Sequence, residues 1–110
     1  MKLKRKPGRS NRPDYKKMIV GVIRFELHFP GAGSLKAKRK ILLSLKDRLK
    51  NKFNVSVAEL EDNDLWQKCV LGVAVISNKQ SFANAVLTHV ANLVNSTPEI
   101  IVSDMQMEWL

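Results

Sequence analysis

Between Ser34 and Phe53 the chain carries eight cationic residues, Lys36, Lys38, Arg39, Lys40, Lys46, Arg48, Lys50 and Lys52, against the single acid Asp47. Such a row does one kind of chemistry well: it holds phosphates or another multiply charged anion. Just ahead of it, Gly31-Ala32-Gly33-Ser34 joins two glycines to a residue suited to cap a helix. Free amides at a helix start, with cations beside them, can cradle an anion. Two candidate sites follow. Lys36, Arg39, Lys40, Lys46 and Lys50 would contact a nucleic acid, and Gly31, Gly33, Ser34 and Lys38 would hold a small anion. The first cations sit at the positive end of the helix dipole, which costs about 0.3–1 kcal/mol for each exposed charge. An arriving anion would offset that cost.

Each site has a plainer reading. A glycine turn with a serine cap occurs at many helix starts, and neither the Lys-[Ser/Thr] ending of a P-loop nor a GxGxxG pattern is present. A charged helix face is usually just solvated, but such a face mixes signs at i±4, and here only Asp47 is available. Lys38 is the odd member. At about 100° per residue it shares a stripe with Leu42, Leu45 and Leu49. It must cover apolar surface with its stem, meet a partner, or serve as an anion ligand beside the glycine turn.

Other residue types assemble no catalytic constellation. Glu59, Glu61, Asp62 and Asp64 cluster in "ELEDND" without the spacing of a calcium loop, so an acidic turn is the simpler account. His28 and His89 have no partners at triad or zinc spacing. The lone Cys69 alternates with Leu71 and Val73 as a small core residue does, and one cysteine makes no internal disulfide. No cofactor or metal is expected, and the chain is not expected to be an enzyme. A hydrolase is the third reading: small analogues of similar fold would use an anion-binding arginine in the glycine turn, and this turn has none.

The elements that must position these residues follow from hydrophobic period. Ile19, Ile23, Phe25, Leu27 and Phe29 alternate with Arg24, Glu26 and His28, as in a half-buried strand. Pro30-Gly31 ends it, and a helix capped by Ser34 runs to about Lys52. "FNVSVAEL" reads as a second strand and "QKCVLGVAVIS" as a third. A second helix, capped by Asn78 or Ser81 and buried through Phe82, Val86, Val90, Leu93 and Val94, reaches about Asn95, and Pro98 stops it. In a last alternating strand Ile101, Met105, Met107 and Trp109 oppose Asp104, Gln106 and Glu108.

The order βαββαβ is the α+β, ferredoxin-like pattern, a four-stranded antiparallel sheet with both helices on one face. On the other face this reading puts Val20, Val22, Val70, Ala74, Ile76, Ile100 and Val102, too apolar a patch to leave in water. A homodimer packed through that face is therefore expected.

Composition agrees with one domain over residues 18–110: of 110 residues, 45% are hydrophobic, enough for a core. Residues 1–17 hold eight Lys/Arg against Asp14 and little to bury, and read as a disordered basic extension, unless the natural start is Met18. The formal net charge is +9, yet outside residues 1–17 and 34–53 three cations face eight acids. Charge so divided steers anions to one region. No apolar run reaches the length of a membrane span, and the cytoplasm is the expected compartment.

Several motifs together resemble a known family. His28 and Pro30, then Ser34-Leu35-Lys36 with Lys38-Arg39, then Phe53 through Glu59, then Asp64, Trp66 and Gln67 recur in this order in the YlxP family of small bacterial proteins. The resemblance implies the ferredoxin-like fold. It implies little about activity, although the family's genes often lie beside those of translation and ribosome-binding factors. Two departures stand out: Ala37 replaces the family's usual Glu, which would complete a capping box with Ser34, and residues 1–17 have no counterpart. The reading preferred on these grounds is a non-enzymatic RNA- or ribosome-associated protein gripping RNA, plausibly rRNA, by the basic helix. The alternative is a homodimeric regulatory module holding a small phosphorylated ligand at Gly31–Arg39. Sheet-surface recognition of the RRM kind is set aside, because "VIRFEL" and "KCVLGVAV" lack the aromatic pattern.

Overall fold

The computed structural model describes residues 18–110, so the basic extension expected over residues 1–17 lies outside the described residues. The elements are β1 (Ile19–His28), α1 (Leu35–Lys52), β2 (Ser56–Glu61), β3 (Lys68–Ser77), α2 (Gln80–Asn95) and β4 (Ile101–Trp109). The strands form one sheet in the order β2-β3-β1-β4, with every neighbouring pair antiparallel. This is the ferredoxin-like architecture that the hydrophobic period implied.

The two central strands build the floor of the core. Their register sets Ile23 opposite Val73, Phe25 opposite Leu71 and Leu27 opposite Cys69, all buried beneath the helices. Leu42, Leu45 and Leu49 come down from α1, and Ala83, Leu87, Val90 and Val94 from α2. Each large side chain removed from water contributes roughly 1.5–3 kcal/mol, and this term holds the helices on the sheet. Gly21 interrupts the large residues of β1 for a steric reason. A Cβ there would lie 2.6 Å from the Trp109 ring and 2.9 Å from Leu87 Cδ1. Gly21→Ala should therefore cost about 1–3 kcal/mol, read as a lowered midpoint in urea with an unchanged slope.

Helix α2 departs from the expected phase. Its buried stripe is Ala83, Leu87, Val90, Ala91 and Val94, while Phe82 is 61% exposed. The alanines permit close approach to the sheet, and a one-residue change of phase turns Phe82 outward by about 100°. Neither Asn78 nor Ser81 caps the helix. Lys79 occupies that position without a side-chain cap, and its amide donates to Ser77 Oγ.

Strand β4 departs through a bulge. Glu26 pairs with Asp104 but Leu27 pairs with Val102, so Ser103 is an extra residue and the alternation flips there. Ile100 and Val102, expected on the open face, instead belong to the core side: Ile100 is 5% exposed and Val102 packs against the core. Ile101 crosses to the open face, opposite His28. That face therefore keeps Val20, Val22, Val70, Ala74 and Ile76 but is half polar. Arg24 spans it, bonding Glu61 at 2.8 Å and Glu26 at 3.6 Å, with Asp104, Gln106 and Glu108 alongside on β4.

Candidate nucleic-acid interface

The start of α1 forms as its residue types dictate. Ser34 holds an extended backbone, and its Oγ accepts from the Ala37 amide at 3.0 Å. The Ser34 carbonyl accepts from the Lys38 amide at 3.1 Å. The amides of Leu35 and Lys36 are left without an acceptor inside the helix. Before the cap, the Ala32 amide donates to the Phe29 carbonyl, and buried Ala32 pins the turn while Gly31 and Gly33 face solvent. Neither glycine has a positive φ, and a Cβ on either would meet nothing within 4 Å. Local conformation and packing do not require glycine at these positions.

Lys38 is not available to that turn. It is fully buried, and its Nζ donates to the carbonyl of Asp62, at 2.7 Å, and to that of Leu65. Both carbonyls belong to the turn joining β2 to β3, where Asp62 takes a left-handed conformation with φ 65°. The partners are backbone oxygens, not a carboxylate and not a ligand. Lys38 thus leaves the expected anion-binding set, because a buried ammonium whose hydrogen bonds go into the fold has none to offer at the surface.

The five cations assigned to nucleic acid divide four to one. Lys46 donates to Glu59 of β2 at 2.8 Å, with both side chains about three-quarters buried. Lys36, Arg39, Lys40 and Lys50 are exposed and form no ion pair among the described residues. Arg39, Leu43, Lys46 and Lys50 fall at steps of four, three and four, hence on one stripe. That stripe runs along the β2 edge: Arg39 and Lys46 line a notch of about 210 Å³ with Glu59, and Lys50 lines a hollow of about 460 Å³ with Asn54, Val55 and Ser56. Lys36 and Lys40 lie on the adjoining stripe. The acids of β2 and its turn are mostly engaged elsewhere, Glu59 with Lys46, Glu61 with Arg24 and Asp62 with Lys68 at 3.9 Å. From across the cleft the basic face is thus neutralised at Lys46, by Glu59, and at no other of its five cations among the described residues.

Residues 20–107 match the family described as "Protein of unknown function (DUF503)". The chain belongs to this family. The Bacillus subtilis (strain 168) protein named "Uncharacterized protein YlxP" is 35% identical over 91 residues, which is 83% of this chain and 99% of that protein. The order of motifs that resembled the YlxP family is matched by similarity along most of the chain. Two de novo designed proteins also align in structure. Foldit4 covers 83% of this chain and 96% of its own at 12% identity and a TM-score of 0.49. LFR1 1, described as having a ferredoxin fold, covers 84% and 82% at 10% identity and a TM-score of 0.45.

The structure adds features that spacing left unassigned. Trp66, 45% exposed, stands on the turn that Lys38 holds. Phe53 and His89 stack at 6.5 Å beside Lys52, at the far end of the helix layer. Among the described residues no helix is long and apolar enough to cross a membrane, and no group of three His, Cys, Asp or Glu is placed to hold a metal ion.

Cys69 is a core residue at 1% exposure. Burial pushes its thiol from 9.0 up to about 11, with nearby Lys38 working in the opposite direction. The unfolded chain releases this proton near 9.0 and the folded chain only near 11. Stability due to this group should be intact below pH 9 and fall as pH rises toward 11. Urea titrations across that window should show the decline, and Cys69→Ala should flatten it. The native thiol should also resist alkylation at neutral pH until the protein is unfolded.

Proposed function

We propose that the chain is a non-enzymatic RNA-binding protein that grips phosphate backbone, that of ribosomal RNA in particular, with the exposed face of α1. The observation that carries this reading is the imbalance on that face. Lys36, Arg39, Lys40 and Lys50 have no acid partner among the described residues; Glu59, Glu61 and Asp62 pair with other cations, and Asp47 is the one acid that α1 itself sets against them. Backbone contacts of this kind position an RNA without reading its sequence, and they weaken steeply with salt. The alternative, a small phosphorylated ligand at Gly31–Arg39, has less support once Lys38 is committed to the fold. It retains Lys36, Arg39 and the two amides before them.

The test is sedimentation with ribosomal fractions at low and high salt, with and without residues 1–17. Pelleting of both forms at low salt, and release at high salt, is the expected result. Failure of the form lacking residues 1–17 to pellet at low salt, with folding intact, would remove the folded domain as the contact.

The same reading includes a second copy on the open sheet face. There Val22, Ala58, Leu60, Gly72 and Ala74 line a trough of about 370 Å³. Leu60 and Ile76 are 51% and 60% exposed. A two-fold contact would set this patch against itself, with Ile76 and Leu60 as the exposed apolar residues it would cover. Sedimentation equilibrium should report a dimer at micromolar concentration, and a monomer there would remove the dimer without touching the RNA reading.

A further inference from the structure

We propose that Trp66 is a stacking platform for an unpaired base whose neighbouring phosphates lie on the start of α1. The ligand class is then single-stranded RNA, or the unpaired part of a folded RNA. This rests on the backbone-gripping reading and makes it more specific.

Three observations carry it. First, Trp66 is displayed on an anchored turn. The Leu65 carbonyl, one peptide bond from Trp66, accepts from buried Lys38, and the Leu65 amide donates to the Asp62 carbonyl at 3.2 Å. At the other end of the turn, the Gln67 carbonyl accepts from the Phe29 amide at 2.9 Å. With its backbone so held, the indole has only its two side-chain torsions to fix on binding, which favours its use as a contact.

Second, the anchor ties this turn to the start of the basic helix. Lys38 turns inward, while Lys36, Arg39 and Lys40 beside it in the chain are exposed and without ion-pair partners among the described residues. Lys36 and Lys40 lie round the helix from Lys38, and Arg39 lines the notch it shares with Glu59 of β2, the strand that leads into the turn. An exposed aromatic face next to a short row of cations is the arrangement by which proteins hold single strands, with bases on rings and phosphates on the charges. Of the turn's acids, Asp62 pairs with Lys68, which leaves Asp64 as the carboxylate opposing the strand.

Third, among the described residues no other Phe or Trp is placed to serve. Phe25 and Phe29 are fully buried, Phe53 and Trp109 are half-buried, and exposed Phe82 belongs to the other helix, α2. On the open face the central strands present Val20, Val22, Arg24, Val70, Gly72 and Ala74. Among the described residues, the ring left for base stacking is the one on the turn.

The experiment titrates the protein with an adenosine oligomer of about 12 nucleotides, within the span such surfaces cover, and with a blunt RNA duplex of equal length. Trp66 emission is isolated by subtracting the spectrum of Trp66→Ala, which retains Trp109. Quenching of that emission by the oligomer is expected. Trp66→Ala should weaken the single strand by about 5- to 150-fold and the duplex by less than about twofold, with Trp66→Phe recovering much of the loss. Asp64→Asn should tighten both ligands. If the oligomer binds with emission unmoved and Trp66→Ala binds it as the parent does, stacking is refuted and the backbone grip stands. Equal losses on oligomer and duplex refute stacking as well, leaving Trp66 a structural role. If the parent binds neither ligand at low salt, the basic-face reading itself fails, and the exposed Leu65–Trp66 pair becomes a protein contact.

Discussion

A variant with Lys36, Arg39, Lys40 and Lys50 all changed to Glu should lose more than about a hundredfold in RNA affinity at roughly 0.1 M salt. The four side chains are exposed and carry no ion pair among the described residues, so the change removes charge without breaking a contact in the fold. Each lost phosphate contact should lower the slope of log affinity against log salt by about 0.7–0.9, hence by about 3 for the set. Lys46 is deliberately left in place. Its ammonium meets Glu59 at 2.8 Å, and Lys46→Glu would set two carboxylates against each other in a partly buried site. A variant that included it would mix lost binding with lost stability. Filter binding across a salt titration reads the result, with circular dichroism as the folding control. Parent-like affinity and slope in the fourfold variant would end the reading.

The largest effect on stability is expected at Lys38. Lys38→Met keeps most of the stem's apolar volume and removes only the ammonium, so the carbonyls of Asp62 and Leu65 lose their buried donor. A hydrogen bond from a charged donor contributes about 1.5–3 kcal/mol, and an orphaned buried carbonyl costs about 1–3 kcal/mol. A net loss of about 3–4 kcal/mol is expected, which for a domain of this size lowers Tm by at least about 12 °C. Amides of residues 62–67 should lose hydrogen-exchange protection before the rest of the sheet does, because their turn is what the ammonium holds. A Tm within a few degrees of the parent, with protection retained, would show that the turn stands without it. The same variant separates the roles of the two neighbours. If Lys38 acted as an anion ligand, phosphate binding would fall while the turn stayed protected.

What could be read in advance follows the range of the interactions involved. The turn at Pro30-Gly31, the Ser34 cap, the reach of α1 to Lys52 and the inward face of β1 all depend on residues within a few positions of one another. Periodicity and capping report such local energies directly. Mistaken expectations arose where a distant partner decided the outcome. The bulge at Ser103 exists only in pairing with Glu26 and Leu27, some seventy-five residues earlier, and it moved Ile100 and Val102 off the open face. In α2 the apolar residues are spread widely enough that several phases fit. Contact with the sheet chose the one that buries Ala83 and exposes Phe82.

The candidate site shows the same division. That α1 carries eight cations and one acid was plain from composition, because charge adds along a chain regardless of fold. Which of those charges remain at the surface without partners was not. Glu59 and Lys46 are thirteen residues apart and meet only across the α1–β2 cleft, and Lys38 finds its acceptors twenty-four and twenty-seven residues away. Trp66 carried no motif linking it to the basic helix. Its turn is tied to the basic helix by one buried ammonium, that of Lys38. Sequence alone thus determined the elements and the total charge, both sums of short-range terms. Tertiary structure decided the partners, because desolvated charges and carbonyls are satisfied by whatever the fold brings within hydrogen-bonding distance.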